Sequence, residues 1–162
     1  MSGTEKLPLL ATGKSKKPMC FKCIKTLPVT YKNNSKSWMT SSIFEEWLRC
    51  LDKQMTIIHR KIVLVIDNCT VHPEIKGLKP ITVGYFPPNV TSILQPLDQG
   101  AIMSFKRNYR KLLFRRNVSQ LDEGEDYKVD ILKALHLSKA AWNDVTEKPS
   151  RIASAMLVLK SN

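Results

Sequence analysis

The chain has 162 residues, 43% of them hydrophobic, enough to bury the core of one ordinary domain and to exclude a disordered tail. Lys and Arg number 26 against 14 Asp and Glu, a formal net charge of +12 that favours polyanionic partners such as nucleic acid. No apolar run approaches the roughly 20 residues that span a bilayer, and Met1 to Lys6 lacks the apolar stretch of a secretory signal, so an intracellular chain with no membrane role is expected.

Residues 1–37 carry eight lysines against the single acid Glu5 and read as an exposed, fragmentary start. Leu7-Pro8-Leu9-Leu10 is a short strand candidate, and Gly13-Lys14-Ser15-Lys16-Lys17-Pro18 a basic loop. Cys20-Phe21-Lys22-Cys23 has zinc-ligand spacing. A structural tetrahedral site needs a second pair of ligands, however, and Cys50, Cys69, His59, His72 and His136 offer no second close pair. The competing reading, small apolar thiols in a strand or loop, is the simpler one, with all four cysteines reduced.

Residues 40–56 predict a helix. Thr40 or Ser42 can cap it, Ser42 and Glu45 have capping-box spacing, and Phe44, Trp47, Leu48, Leu51 and Met55 form one apolar stripe. Ile62 to Ile66 is a continuous β-branched and leucine run, expected of a strand covered on both faces. Ile81-Thr82-Val83-Gly84-Tyr85-Phe86 is the next strand, closed by Pro87-Pro88-Asn89. Thirteen residues separate Asp67 from Ile81, just enough for a crossover joining parallel strands.

A helix over 101–118 follows, with Ile102, Phe105, Tyr109, Leu112 and Leu113 on one face. Lys106, Arg107, Arg110, Lys111, Arg115 and Arg116 occupy much of the rest, with no acid among them. Such a face is in most proteins merely solvated; six cations without an acid make phosphate contact an equal contender. Asp122-Glu123-Gly124-Glu125-Asp126 reads as an acidic loop, Val129 to His136 with Ala140-Ala141-Trp142 as a closing helix, and 152–159 as a further helix.

Two acids stand where apolar runs end. Asp67 closes the 61–66 run, and Asp98 closes the Leu94-Gln95-Pro96-Leu97 turn before the basic helix, with thirty residues between the two acids. An ionised carboxylate left inside a sheet carries a desolvation cost on the order of several kcal/mol, so a strand-end acid is usually delivered to a site. In parallel sheets chemistry gathers at the carboxyl ends of strands, and the dipole of the following helix helps hold Asp98 ionised. Asp is also common in turns, and His72 before Pro73 reads on position alone as a loop residue.

Seven segments occur in an order that resembles the pogo/Tigger-type transposases. They are Lys6-Leu7-Pro8-Leu9-Leu10, Gly13-Lys14-Ser15-Lys16-Lys17-Pro18, Cys20-Phe21-Lys22, Trp38-Met39-Thr40, Asp67-Asn68-Cys69 with His72, Phe86-Pro87-Pro88-Asn89-Val90-Thr91-Ser92 and Gln95-Pro96-Leu97-Asp98-Gln99-Gly100. This is similar to the DDE superfamily domain, best over residues 6 to about 118, with Trp142 where the family also tends to carry a helix tryptophan. The resemblance implies an α/β, RNase H-like fold, a central mixed sheet with flanking helices, incomplete here over 1–118 and followed by an acidic loop and helices over 119–162.

It also implies that Asp67 and Asp98 are the second and third catalytic, metal-binding acids, gripping Mg²⁺ or Mn²⁺ for DNA strand cleavage and transfer, with Asn68 and His72 around the ligands or facing substrate. The family's first acid lies on a strand upstream of the segment matched by Lys6 to Leu10. Glu45, Glu46 and Asp52 sit in the 40–56 helix and cannot replace it, so weak metal binding and no nuclease turnover are expected of this chain alone. The expected role is therefore a nuclear, transposase-derived domain that holds DNA through its phosphate backbone, without direct base readout. The alternative is a protein-interaction or vestigial domain whose incomplete sheet pairs with a protein partner.

Overall fold

A computed structural model of the chain describes residues 6–67, 69, 71–85, 100–122 and 128–145. In chain order these form β1 (Leu10–Gly13), a 3₁₀ turn (Met19–Phe21), β2 (Thr30–Asn33), α1 (Ser41–Ile57), β3 (Ile62–Ile66), β4 (Ile81–Tyr85), α2 (Ile102–Asp122) and α3 (Ile131–Asn143). They divide into two compact units, one within Met1–Trp38 and Pro96–Asn162, the other within Met39–Gln95. The mixed α/β class is as expected. In place of one central mixed sheet, the described residues form two separate two-stranded sheets, both parallel.

In the first unit β1 pairs with β2 in parallel, Leu10 opposite Thr30 and Gly13 opposite Asn33. The N-terminal stretch is not the exposed start its lysines imply, because Leu9, Leu10, Ala11 and Thr12 are all buried. The strand begins at Leu10 rather than Leu7, and Gly13 closes it instead of opening the basic loop. A Cβ on Gly13 would collide with the Tyr31 hydroxyl, which donates to the Ser15 carbonyl at 2.8 Å, so the close approach requires glycine.

Around Leu9 gather Ala101, Phe105, Ala141, Trp142 and Val145, with Val29, Tyr109 and Leu112 packed against them. Phe105 meets the Trp142 ring edge-on at 6.3 Å between centroids. The Trp142 indole N–H donates to the Leu7 carbonyl at 3.1 Å, giving this buried aromatic the partner its polar atom needs. Asp130 caps α3 by accepting from the Lys133 amide at 2.7 Å. At the other end the Lys6 ammonium donates to the carbonyls of Trp142, Asn143 and Val145 at 2.9, 2.8 and 2.7 Å, where the helix dipole favours a cation. The basic helix α2 extends beyond 118 to Asp122, so that residue is helical and not the first of a loop.

In the second unit α1 begins where Thr40 accepts from the Ile43 amide at 3.3 Å; Thr40, not Ser42, is the cap. Ile43, Phe44, Leu48, Leu51 and Met55 are buried, while Trp47 is only half-buried. The helix ends in a Schellman motif: the His59 amide bonds the Thr56 carbonyl at 3.1 Å, the Arg60 amide bonds the Met55 carbonyl at 2.9 Å, and His59 takes a φ of 52°.

β3 and β4 pair in parallel, Ile62 opposite Ile81 and Ile66 opposite Tyr85, as the thirteen-residue interval predicts. The expectation that β3 is covered on both faces fails. Leu64 is buried, but Val63 is 63% exposed and Val65 is exposed as well, because alternate residues point to opposite faces and only one face is packed. The Asp52 carboxylate accepts from the Lys79 amide at 3.1 Å, tying α1 to the approach to β4.

Candidate functional site

Asp67 follows Ile66 directly, at the carboxyl end of β3 and beside the carboxyl end of its parallel neighbour β4. The sheet interior is apolar and the acid stands just past it, where its side chain is 36% exposed. His72 is turned back onto it: Nδ1 lies 2.8 Å from Asp67 Oδ1 and 3.2 Å from the Asp67 backbone carbonyl. The same nitrogen is 3.3 Å from Cys69 Sγ. The turn that achieves this is closed by the His72 amide donating to the Cys69 carbonyl at 3.0 Å.

Two further groups hold His72 in place. The Phe44 ring of α1 lies 4.4 Å away between centroids, and the Tyr85 hydroxyl at the end of β4 reaches the His72 carbonyl at 3.4 Å. The His72 side chain is accordingly only 13% exposed. Among the described residues Asp67, Cys69 and His72 are a group whose ligand atoms all lie within 4.8 Å of one another.

Asp67 stands at a strand end, and His72 lies against it. Asn68 and Asp98 lie outside the described residues. The sequence places Cys69 only among possible zinc ligands, and Phe44 and Tyr85 only in a helix stripe and a strand. Contrary to the expectation of no second close pair, Cys69 and His72 are one, with two residues between them, and the structure brings Asp67 to the same point. That D-x-C-x-x-H spacing is the signal that finds it.

The six cations of the basic helix are all exposed: Lys106, Arg107, Arg110, Lys111, Arg115 and Arg116. The opposite face of α2 packs through Phe105, Tyr109 and Leu112, which orients the charge outward. The outward surface is not purely cationic, since Met103, Phe114 and Leu121 are exposed on the same helix, Phe114 to 67%. Cys23 and Cys50 are exposed thiols, while Cys20 and Cys69 are half-buried. No helix among the described residues is long and apolar enough to cross a membrane.

Residues 1–155 match the family model described as DDE superfamily endonuclease. The chain is 40% identical over 146 residues to Tigger transposable element-derived protein 4 of Mus musculus, covering 90% of the chain and 28% of that relative. It is 32% identical over 156 residues to Major centromere autoantigen B of Homo sapiens, with 94% and 25% covered. To ARS-binding protein 1 of Schizosaccharomyces pombe it is 33% identical over 155 residues, with 87% and 29% covered. The chain thus spans between a quarter and a third of the length of these relatives. No solved structure matches it. The pogo/Tigger-type resemblance carried by the seven ordered segments is borne out.

Proposed function

The chain belongs to the DDE superfamily endonuclease family, and from that premise we propose that it is a transposase-derived domain that holds DNA by its phosphate backbone. The observation that carries this reading is the outward face of α2: six exposed cations with no acid before Asp122. Each guanidinium or ammonium set against a phosphate releases condensed counterions, so such a face binds duplex DNA without reading bases. Relatives named for ARS binding and for the centromere favour the same role and a nuclear location.

Within this reading the core is an RNase H-like domain over 1–118, with 119–162 as its helical extension. Asp67 and Asp98 are the acids for Mg²⁺ or Mn²⁺, with Asn68 and His72 close to ligands or substrate. The fit at Asp67 is partial: the carboxylate is half-exposed at a strand end, as a hard cation needs, but its described neighbours are an imidazole and a thiol in place of further oxygens. Two carboxylates hold one such ion weakly and do not fix a pair, so Asp67 and Asp98 alone do not support strand cleavage. A cation held by Asp67 and Asp98 would supply activation of a water or 3′-hydroxyl and stabilisation of the leaving oxygen.

The test is binding to duplex DNA over a range of salt. Affinity should fall steeply, and changing Arg107, Arg110 and Arg115 together to Gln should flatten the log–log slope by up to about 3 counterions. Negligible binding at low salt overturns the reading.

A specific observation favours a second reading, docking of a protein partner on the exposed sheet face: Val63 and Val65 are exposed on one face of a two-stranded sheet. If the chain binds no DNA, and Val63→Thr with Val65→Thr abolishes a concentration-dependent association, the partner reading stands in place of the first.

A further inference from the structure

His72 Nδ1 is crowded in a way hydrogen bonding alone does not explain. It faces Asp67 Oδ1 at 2.8 Å, the Asp67 carbonyl at 3.2 Å and Cys69 Sγ at 3.3 Å. One ring nitrogen carries at most one proton, so these three neighbours cannot each receive a full hydrogen bond. The crowding also excludes a nucleophilic relay. In such a relay the thiol and the carboxylate use opposite ring nitrogens, whereas here both meet Nδ1.

Three atoms of different chemistry, an imidazole nitrogen, a thiol sulfur and a carboxylate oxygen, instead converge on one point. We infer that Asp67, Cys69 and His72 form a three-ligand site for a borderline divalent cation, Zn²⁺ foremost, with its fourth position left for water. Zinc takes nitrogen, sulfur and oxygen together and prefers tetrahedral coordination, for which ligand atoms stand about 3.3 to 3.6 Å apart. The Nδ1 to Sγ separation already fits, and Oδ1 has to withdraw by about 0.5 Å. Mg²⁺ is a poor match for this set, since it demands oxygen ligands and a thiolate is soft.

The surroundings hold the ligands where an ion needs them. The turn bond from the His72 amide to the Cys69 carbonyl fixes the spacing, Tyr85 engages the His72 carbonyl, and the Phe44 ring walls one side of the imidazole. On binding, Sγ enters as the thiolate and its proton leaves to solvent, while His72 keeps its remaining proton on Nε2 and offers the Nδ1 lone pair. The site shares Asp67 with the hard-cation reading but needs neither Asp98 nor DNA.

Cobalt(II) titration of the whole chain tests it, cobalt standing in for zinc. A thiolate-to-cobalt charge-transfer band should appear, be displaced by equimolar Zn²⁺, and survive excess Mg²⁺. The band should be lost in Cys69→Ser and in His72→Gln, and kept in Asp98→Ala and in the double variant Cys20→Ser, Cys23→Ser. In the unaltered chain, Zn²⁺ should slow alkylation of Cys69 severalfold while the exposed Cys23 and Cys50 react as before, a readout that does not depend on any variant folding. No band, a band that persists in Cys69→Ser or disappears with Cys20 and Cys23, or an unprotected Cys69 overturns the inference. Loss of DNA binding with the band intact sinks only the DNA reading.

Discussion

The His72 imidazole lies tilted against the Phe44 ring, 4.4 Å between centroids and 40° between planes. This contact joins the buried face of α1 to the turn after β3, so the helix core and the candidate site are coupled through one aromatic pair. Phe44→Ala removes the ring at a cost of about 3 to 5 kcal/mol and endangers the unit; Phe44→Leu is the better probe. In Phe44→Leu the His72 ring protons should move toward their unstructured chemical shifts by NMR, because the ring current is gone, and Cys69 should alkylate faster. Unchanged His72 resonances would mean the pair does not form in solution.

Lys6 closes the C-terminus of α3 from the far end of the sequence, reaching the Trp142 carbonyl at 2.9 Å. Its ammonium also lies 5.9 Å from the Trp142 ring centroid. Lys6→Met keeps most of the aliphatic stem and removes the charge that three carbonyls share. The expected loss is about 1 to 3 kcal/mol, read as a lower urea midpoint with unchanged slope. Amide exchange in the last turn of α3 should accelerate first.

His59 occupies the left-handed position that ends α1, with φ at 52°. Glycine adopts that conformation without the Cβ penalty, and its Schellman bonds to Thr56 and Met55 are backbone bonds that the substitution leaves in place. His59→Gly should therefore stabilise the second unit by about 1 kcal/mol, despite glycine's larger unfolded-state entropy. A lower melting temperature for this variant would contradict the cap geometry.

Tyr31 holds its proton above tyrosine's ordinary 10.0, first because burial disfavours the phenolate and second because the Cys20 thiolate repels it. Above about pH 10 the unfolded chain releases this proton while the folded chain retains it, so the unfolded state binds fewer protons and stability falls as pH rises. The contribution is complete below that pH and is lost progressively as pH climbs through the folded-state value. Urea midpoints at about pH 9 and about pH 11 should diverge for the unaltered chain and converge in part for Tyr31→Phe. An unaltered decline in Tyr31→Phe would assign the loss to other groups.

Local pattern and spacing determined much of this protein. The 3.6-residue stripe from Phe44 to Met55 carries α1, the apolar run 62–66 carries β3, and the interval between Asp67 and Ile81 implies the parallel pairing that β3 and β4 adopt. The ordered motif segments place the chain in its family. These signals are legible because periodicity and connection length act over a few residues at a time. Burial of Leu9 to Thr12, exposure of Val63 and the Lys6 cap on α3 are decided only in three dimensions, since each depends on residues distant in sequence. The meeting of Asp67, Cys69 and His72 belongs there too: the three lie within six positions of one another, but the turn past β3, walled by Phe44 and engaged by Tyr85, is what brings their polar atoms to one point.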